Sequence, residues 1–250
     1  MSSDAPRMYH EFADWFHLVT APEDYAEEAE FYFGLVRDAL GRAPRNWLEL
    51  GSGGGNNASH YKAWVEGPVV LSDRSEEMLA ISKRLNPDAE HVHGDMTALR
   101  LGRTFEAVFV HDAASYLTTE HQVRQLAATL YAHCAPGGVA LACPDDTAEN
   151  VSYATTHGGH DGDGRALRYL EWSTPGRPGT FEVNIDFVYV FHEDGKPPLV
   201  ELDRHVNGAL PRNTWLAALS EAGFAPVWTT HLVHSEVEPG QHEVFLAQKP

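Results

Sequence analysis

Apolar residues in the first forty positions recur at the spacing of one helix face. The dipeptide Ala21-Pro22 interrupts the pattern, because proline lacks a backbone donor and breaks a helix. The sequence therefore predicts two N-terminal helices, one on each side of this break. Their apolar positions are Phe12, Trp15, Phe16, Tyr25, Ala29, Tyr32, Phe33 and Val36.

Between residues 47 and 143, short apolar runs alternate with longer amphipathic segments. Short buried runs separated by helices of this length are typical of right-handed βαβ units, which build a parallel sheet. The predicted strands cover 47–50, 69–71, 90–93, 107–110 and 139–143, and the predicted helices cover 57–65, 75–85 and 119–133.

The pattern changes after Pro144. Three segments show strand character, and in the middle one apolar and polar residues alternate, which indicates one buried face. The turn sequences PGRPG and EDGKPP separate them and favour an antiparallel meander. These strands cover 167–172, 181–191 and 199–206, and they precede a helix over 213–222 and two final strands over 226–231 and 243–247.

This order of elements predicts an α/β fold. We expect a doubly wound, Rossmann-like, mostly parallel sheet of seven strands, with an antiparallel three-strand segment inserted before the last helix. No linker separates independent domains, so we expect one domain. Its parts are an N-terminal helical lid (1–43), the core (44–145 and 209–250) and a substrate-side insertion (146–208).

Composition narrows the range of partners. The formal net charge of -18 repels phosphate backbones and anionic lipid surfaces, so we expect a small-molecule substrate and neither nucleic acid nor membrane. The start MSSDAPRMYHEF lacks the basic and apolar regions of a secretory signal. Cys134 and Cys143 have no metal or disulfide spacing. We expect a soluble cytoplasmic protein that is a monomer or a homodimer.

A glycine-rich loop, GSGGG, joins the first predicted strand to a helix. Glycines there allow close backbone approach to a ligand, and the helix start offers free N–H donors. Asp73 and Asp95 follow the next two strands, so they are expected at the same carboxyl edge. A dinucleotide loop fits less well, because asparagine stands where a third glycine or alanine belongs and the acidic Glu49 suits a cationic ligand.

The motifs ELGSGGG, LSDRSEEML, GDM, FEAVFVHDAASYL and CAPGGVALACPD occur in an order that resembles class I methyltransferases dependent on S-adenosylmethionine (SAM). The resemblance is good from Tyr9 to Pro144 and holds only in outline beyond. It implies that SAM is the cofactor, that Asp73 holds its ribose, and that Asp95 with Met96 holds its adenine. The other implied cofactor residues are Tyr9, Glu49, Gly51, Ser52, Gly53, Met78 and His111. Asn56 and Asn57 depart from the common loop pattern and are expected to cap the following helix.

Methyl transfer needs alignment of an acceptor with the methyl group and removal of a proton. His111, Tyr116 and His160 are the catalytic candidates, and His157, Arg165 and Arg168 are candidates for binding substrate. Each also has a structural alternative: a buried histidine, a core aromatic, a mobile polar loop or an ordinary ion pair. The histidines and aspartates of HGGHDGDG match no zinc or calcium pattern, so we predict no bound metal.

The inserted strands resemble those of bacterial natural-product and sugar-amine methyltransferases. This resemblance implies methyl transfer to nitrogen or oxygen of a small metabolite. Two alternatives stay open at this point: a nicotinamide-dependent oxidoreductase on the same fold, and a protein that binds SAM without catalysis. A nucleic-acid methyltransferase is disfavoured by the charge and by HDAASY, where DPPY or NPPY is expected.

Overall fold

The N-terminal region is less regular than the sequence predicts. The structure, a computed structural model, describes residues 6–250. Its first helix, α1, covers only Phe16–Val19, and α2 covers Ala26–Leu40. Single 3-10 turns at Arg7–Tyr9, Ala13–Trp15 and Pro22–Tyr25 make up much of the rest. The predicted break at Ala21-Pro22 is confirmed, but the first predicted helix is wrong as a continuous element, because its aromatic residues pack on two different neighbours.

A seven-stranded sheet forms the centre of the protein. Its strand order is β10-β11-β5-β4-β1-β2-β3, and β11 runs antiparallel to both β5 and β10. This confirms the predicted doubly wound, mostly parallel sheet. The strands are β1 (Trp47–Leu50), β2 (Val69–Asp73), β3 (Glu90–His93), β4 (Phe105–Val110), β5 (Cys134–Ala142), β10 (Val227–His231) and β11 (Glu243–Gln248).

Helices cover both faces of this sheet. Ser75 begins α4 as predicted, because its side chain accepts a hydrogen bond from the Met78 amide. A capping box of Thr119 and Gln122 begins α5. Two bounds differ from prediction: α3 ends at Tyr61, and β5 begins at Cys134 because that residue already pairs with β4. The remaining helices are α3 (Asn56–Tyr61), α4 (Glu76–Leu85), α5 (Glu120–His133) and α6 (Arg212–Ala222).

The inserted sheet has four antiparallel strands, where three were predicted. Its order is β6-β7-β8-β9, and the additional edge strand β6 (Thr155–Gly158) lies in the polar loop that was expected to be irregular. Strand pairing with β7 satisfies the backbone of this polar segment without requiring an apolar pattern. The other strands are β7 (Arg165–Pro175), β8 (Glu182–Glu193) and β9 (Leu199–Gly208).

One face of the inserted sheet packs on the rest of the protein, and the other face is turned toward solvent. Odd-numbered residues such as Leu167, Tyr189 and Phe191 face inward and are buried against Met8 and Phe12 of the N-terminal segment. The N-terminal segment thus lies between the inserted sheet and the carboxyl ends of the parallel strands. Across residues 6–250, no helix has the length and apolar character needed to cross a membrane.

Candidate active site

A cavity of about 330 Å³ opens at the carboxyl edge of the parallel strands. The ends of β1, β2, β3 and β4 form its floor, and the N-terminal segment forms its roof. All the residues predicted to contact the cofactor line this main cavity, together with the catalytic candidate Tyr116. They are Tyr9, Glu49, Gly51, Ser52, Gly53, Asp73, Met78, Asp95, Met96 and His111.

The glycine-rich loop forms a tight cradle beside the main cavity. Gly51 has a φ of 66°, and a Cβ atom at this position would overlap the Cβ of Ala113. Gly53 has a φ of 52°, a left-handed conformation that side-chain-bearing residues rarely adopt. The buried Ser52 hydroxyl has no hydrogen-bond partner among the described residues. The loop therefore leaves a buried polar group available to a ligand.

Asp73 is held in place by the loop and by the start of α4. Its Oδ2 accepts a hydrogen bond from the Gly53 amide at 2.9 Å, and its Oδ1 accepts one from the Ser75 amide at 2.8 Å. Burial raises the pKa of Asp73, and the backbone donors partly oppose that shift. Each carboxylate oxygen keeps a lone pair free for a ligand hydroxyl in the cavity.

Asp95 lies two residues beyond β3 and is more exposed. Its Oδ1 accepts hydrogen bonds from the amide and the hydroxyl of Thr97, at 2.7 and 2.6 Å. These bonds fix the turn and leave Oδ2 free to accept from a ligand. The Met96 side chain supplies an apolar surface next to it, packed against the core.

Glu49 is a buried acid at the end of β1. It is only 3% exposed, and the hydroxyl of Tyr61 donates to its Oε2 at 2.5 Å. Burial raises the pKa of Glu49 to about 7, although the Tyr61 hydrogen bond acts in the opposite direction. The group therefore gains or loses its charge near neutral pH, according to what occupies the cavity.

His111, at the end of β4, lies between two carboxylates. Its Nδ1 is 3.0 Å from Asp112 Oδ1, and its Nε2 is 3.6 Å from Glu28 Oε2. Burial alone would lower the pKa of His111, but the charges of Asp112 and Glu28 outweigh it and raise this pKa to about 10. His111 is thus an imidazolium at neutral pH, which favours a positioning role over that of a proton acceptor.

The two asparagines of the loop do not cap α3, so that expectation is wrong. Gly55, with a φ of 80°, occupies the cap position without any side-chain bond. Asn57 instead donates to Glu28 Oε1 at 2.8 Å, and Asn56 donates to the Thr20 carbonyl at 3.3 Å. Tertiary contacts with the N-terminal segment compete successfully with the local cap.

A second cavity of about 230 Å³ adjoins the main one and shares His111, Asp112, Thr20 and Tyr25 with it. This second cavity is strongly acidic. Its carboxyl groups come from α1–α2, β4, β5 and β11, and the sequence did not single them out as site residues. They are Asp24, Glu28, Asp112, Asp145 and Glu243.

Two of these acids have unusual surroundings. Burial and the neighbouring charge of Asp112 raise the pKa of Asp145 well above its usual range. Glu243 is 1% exposed, and its Oε1 pairs with Arg212 Nε at 2.5 Å. Its Oε2 has no hydrogen-bond partner within residues 6–250. The second cavity therefore has acceptor capacity that the described residues do not use.

Sequence reasoning had a usable signal for only part of the second cavity. Asp145 lies three residues beyond β5 in the motif CPDD, at the edge where ligands bind. Glu28 lies on α2 among other acids and has no local distinguishing feature. Glu243 begins β11, far along the chain, and only folding brings it to this edge.

The remaining predicted residues do not line the main cavity. His160 Nε2 lies 3.0 Å from Asp24 Oδ2, and Arg168 pairs with Asp161 at 2.7 Å. The Arg165 guanidinium stacks 3.7 Å from the centre of the Trp15 ring, and His157 is exposed on β6. Pairing of β6 with β7 holds this segment away from the main cavity. The catalytic role of His160 and the substrate roles of the other three stay predictions.

Comparison with known proteins identifies the central part of the chain. Residues 48–138 match the family model described as "Methyltransferase domain". A Streptomyces venezuelae protein, dTDP-3-amino-3,4,6-trideoxy-alpha-D-glucopyranose N,N-dimethyltransferase, is 33% identical over 123 residues, which are 49% of this chain and 51% of that protein. The match thus spans only about half the length of this curated relative.

Similar folds extend over almost the whole chain. The crystal structure of Streptomyces venezuelae DesVI has a TM-score of 0.81 at 24% identity, with 96% of this chain and 98% of that one covered. CalS10, a SAM-bound amino pentose methyltransferase from Micromonospora echinaspora, has a TM-score of 0.76 at 20% identity over 96% and 97%. At these identities the likeness establishes the fold, including the inserted antiparallel sheet.

Proposed function

We propose that this chain, whose residues 48–138 belong to the methyltransferase domain family, is a SAM-dependent methyltransferase acting on the amine of a small molecule. One observation carries the proposal: the glycine loop, Asp73, Asp95 and Glu49 line a single cavity beside a chamber of carboxylates. No observation on the described residues favours a nicotinamide cofactor.

The residues of the main cavity fit SAM. The two fixed oxygens of Asp73 suit a ribose diol, and Asp95 Oδ2 with the Met96 surface suits an adenine. The unpartnered Ser52 hydroxyl and Glu49 suit the aminoacyl end, and a cation there favours the charged form of Glu49. When bound, SAM supplies an electrophilic methyl group on a positively charged sulfur.

The second cavity suits an ammonium or amine group. Its carboxylates favour a cation, and the faces of Tyr25 and Tyr32 can stack with one. The Streptomyces and Micromonospora proteins are named for amino sugars, which supports nitrogen as the methylated atom. We therefore assign an amino sugar or a similar amine as the acceptor class.

The chain's own contribution to the reaction is positioning. The His111 imidazolium and Asp112 line both cavities, and Tyr9 and Tyr116 line the main cavity. Holding an amine between these groups orders its lone pair toward the main cavity, and such ordering accounts for much of the rate gained by an alignment-limited reaction. An ammonium held by the carboxylates must first lose a proton to water to expose its lone pair, and the methylated ammonium formed by the transfer then releases its own proton to water.

The deciding experiment is calorimetric titration with SAM, S-adenosylhomocysteine, NAD and NADP, followed by a methyl-transfer assay with dTDP-3-amino-3,4,6-trideoxy-glucose. Binding of SAM and its product, with turnover of the amino sugar, is expected. Binding of NAD or NADP alone would overturn the cofactor assignment. SAM binding with no turnover of any amine in a panel would favour a non-catalytic SAM-binding protein.

We also propose that residues 6–43 act as a lid over the main cavity; the first five residues of the predicted lid (1–43) lie outside the described residues. Among the described residues, Tyr9, Phe16, Val19 and Tyr25 form its roof, so a ligand must pass this segment. Saturating SAM should therefore slow proteolysis of the segment. Equal cleavage rates with and without SAM would contradict the lid.

The outer face of the inserted sheet supports a homodimer over a monomer. Even-numbered residues project there, and several are exposed and apolar. The Asp186–Arg204 ion pair interrupts this face, but exposed apolar side chains on a sheet face are typical of an interaction surface. Its members are Leu170, Trp172, Val190, Val200, Leu202 and Val206. Light scattering should give a dimer that Leu202→Arg converts to a monomer.

The free, buried thiols of Cys134 and Cys143 support a cytoplasmic location.

A further inference from the structure

A chain of hydrogen bonds links the main cavity to the inner face of the inserted sheet. The hydroxyls of Tyr9 and Tyr116 are 2.8 Å apart, and the Tyr116 hydroxyl lies 2.8 Å from His205 Nδ1. His205 Nε2 lies 3.3 Å from Asp203 Oδ2. Only the two tyrosines line the cavity. Asp203 and His205 lie behind them, and the sequence did not mark either one.

The period-two geometry of β9 brings this pair together. Residues 203 and 205 both project from the inner face, so their side chains are neighbours. Asp203 is 8% exposed and His205 is 4% exposed. The rings of Phe187 and Tyr9 pack against the imidazole, at centroid distances of 4.8 and 5.5 Å.

Asp203 is an ionised acceptor in this setting. Its Oδ2 accepts from the Met8 amide at 2.9 Å, and its Oδ1 accepts from the Arg204 amide at 3.0 Å. Burial alone would raise the pKa of Asp203, but the bonds from His205 and the backbone amides outweigh it and lower this pKa. An ionised carboxylate can only accept hydrogen bonds, so His205 Nε2 must be the donor between them.

The direction of the whole chain follows from that constraint when His205 is neutral. A neutral imidazole with its proton on Nε2 has an unprotonated Nδ1, which accepts from the Tyr116 hydroxyl. With its proton directed to His205, the Tyr116 oxygen accepts from the Tyr9 hydroxyl. The Tyr9 oxygen, at the cavity end, then has free lone pairs and receives no hydrogen bond from residues 6–250. An imidazolium at position 205 would still donate from Nε2 to Asp203, but it would reverse the two bonds on the tyrosine side, from His205 to Tyr116 and from Tyr116 to Tyr9.

We infer that Asp203 and His205 are positioning residues that direct the Tyr116 and Tyr9 hydroxyls away from the cavity, so that the Tyr9 oxygen accepts an N–H of the methyl acceptor. The inference rests on the proposed function, because it concerns the acceptor of that reaction. An amine held by its N–H at Tyr9 has its lone pair free for the methyl group. No proton transfer through the tyrosines is required.

Burial keeps both tyrosines in the form that this geometry needs. Desolvation raises the pKa of Tyr9 and that of Tyr116 well above the usual tyrosine range. Both therefore remain neutral hydroxyls at physiological pH, each donating one hydrogen bond. A tyrosine hydroxyl by itself can donate its hydrogen bond in either direction. The Asp203–His205 pair behind Tyr116 decides which direction it takes.

The first test measures the tautomer of His205 directly. In protein labelled with ¹⁵N-histidine, we expect the His205 signals of a protonated Nε2 and an unprotonated Nδ1 at pH 7.5. Asp203→Asn should abolish that preference, whereas Asp194→Asn, at an exposed turn, should leave it unchanged. A protonated Nδ1, whether in the other tautomer or in an imidazolium, would overturn the inference.

The second test reads the consequence for the reaction. With the dTDP-amino sugar as acceptor, His205→Phe and Tyr116→Phe should each lower kcat roughly tenfold to a hundredfold, the scale of lost alignment, while Kd for SAM stays within about twofold. His192→Phe, at an exposed site on β8, is the matched control. Unchanged kcat in His205→Phe would overturn the inference.

Two outcomes separate this inference from the proposed function. If the wild-type protein binds SAM but methylates no amine, the proposed function fails, and the tautomer measurement still decides the direction of the chain. If the wild type is active and the tautomer is as expected, a parallel loss of SAM affinity and melting temperature in His205→Phe would assign a structural role only and overturn the inference.

Discussion

The two sides of the candidate site are built in different ways. On the cofactor side, the polar groups follow consecutive strand ends between Glu49 and Met96, and nearby backbone amides bond to Asp73 and Asp95. On the acceptor side, the groups come from α2, β4, β5, β9 and β11, and they depend on one another. Asp73 is held by neighbouring amides, whereas His111 owes its charge to the side chains of Asp112, next to it in the chain, and of Glu28, 83 positions away.

This difference has an energetic consequence. A carboxylate bonded to backbone amides keeps its orientation when other side chains change, because the backbone does not move with them. A buried cluster of interacting charges redistributes its protons when any member is altered. The cofactor side should therefore respond to substitution residue by residue, and the acceptor side should respond as a group.

The largest expected effect tests the independence of the cofactor side. Asp73→Ala removes two charge-assisted acceptors for the ribose and should weaken SAM binding by at least about a hundredfold, since such bonds contribute about 1.5–3 kcal/mol each. Calorimetry measures it. Asp38→Ala, an exposed acid on α2, is the control and should leave the Kd unchanged. A change below threefold in Asp73→Ala would show that Asp73 does not contact the cofactor.

A smaller effect is expected on the acceptor side. Glu28→Gln removes one charge beside His111 and should raise KM for the amine about tenfold, equivalent to about 1.4 kcal/mol, with Kd for SAM unchanged. Because Glu28 helps to keep His111 protonated, NMR titration should also show a lower His111 pKa. Glu30→Gln, an exposed residue on the same helix, is the matched control. If Glu28→Gln raised Kd for SAM as much as KM for the amine, the cofactor side and the acceptor side would not respond independently.

An effect of similar size is a pH dependence that originates at Glu49. Its raised pKa of about 7 means that the free protein loses this negative charge as pH falls through neutrality. A cationic ligand binds the ionised form better, so SAM affinity should fall roughly tenfold between pH 8 and pH 6. Calorimetry at three pH values measures this slope.

Glu49→Gln provides the check on that assignment, because glutamine can still accept the Tyr61 hydroxyl but does not titrate. SAM affinity in this variant should not change between pH 6 and pH 8. His111, with a pKa of about 10, keeps its charge throughout the range and adds no slope. A slope that persists in Glu49→Gln would move the titrating group elsewhere, with Asp73 as the next candidate.

Much of the fold could be predicted from sequence, for a physical reason. Burial of one face imposes a period on the chain, so the strands and helices of the parallel core were identified correctly to within a few residues. The exceptions were segments in which backbone pairing or packing on two neighbours replaced a simple period. Strand β6 lacks an apolar pattern, and the first predicted helix divides into turns because its aromatic residues pack on different neighbours.

What the sequence by itself determined was the cofactor side: the glycine loop and the acids that follow β2 and β3. Parallel strands end at one edge, so residues just beyond them must converge whatever the rest of the chain does. Only the tertiary structure decided the acceptor side. It placed Glu28 and Glu243 around His111 and Asp145. It also brought Asp203 and His205 behind Tyr116. Finally, it held His157 and His160 away from the main cavity. Their charges and hydrogen-bond directions depend on burial and on partners far along the chain, and no local pattern in the sequence encodes either.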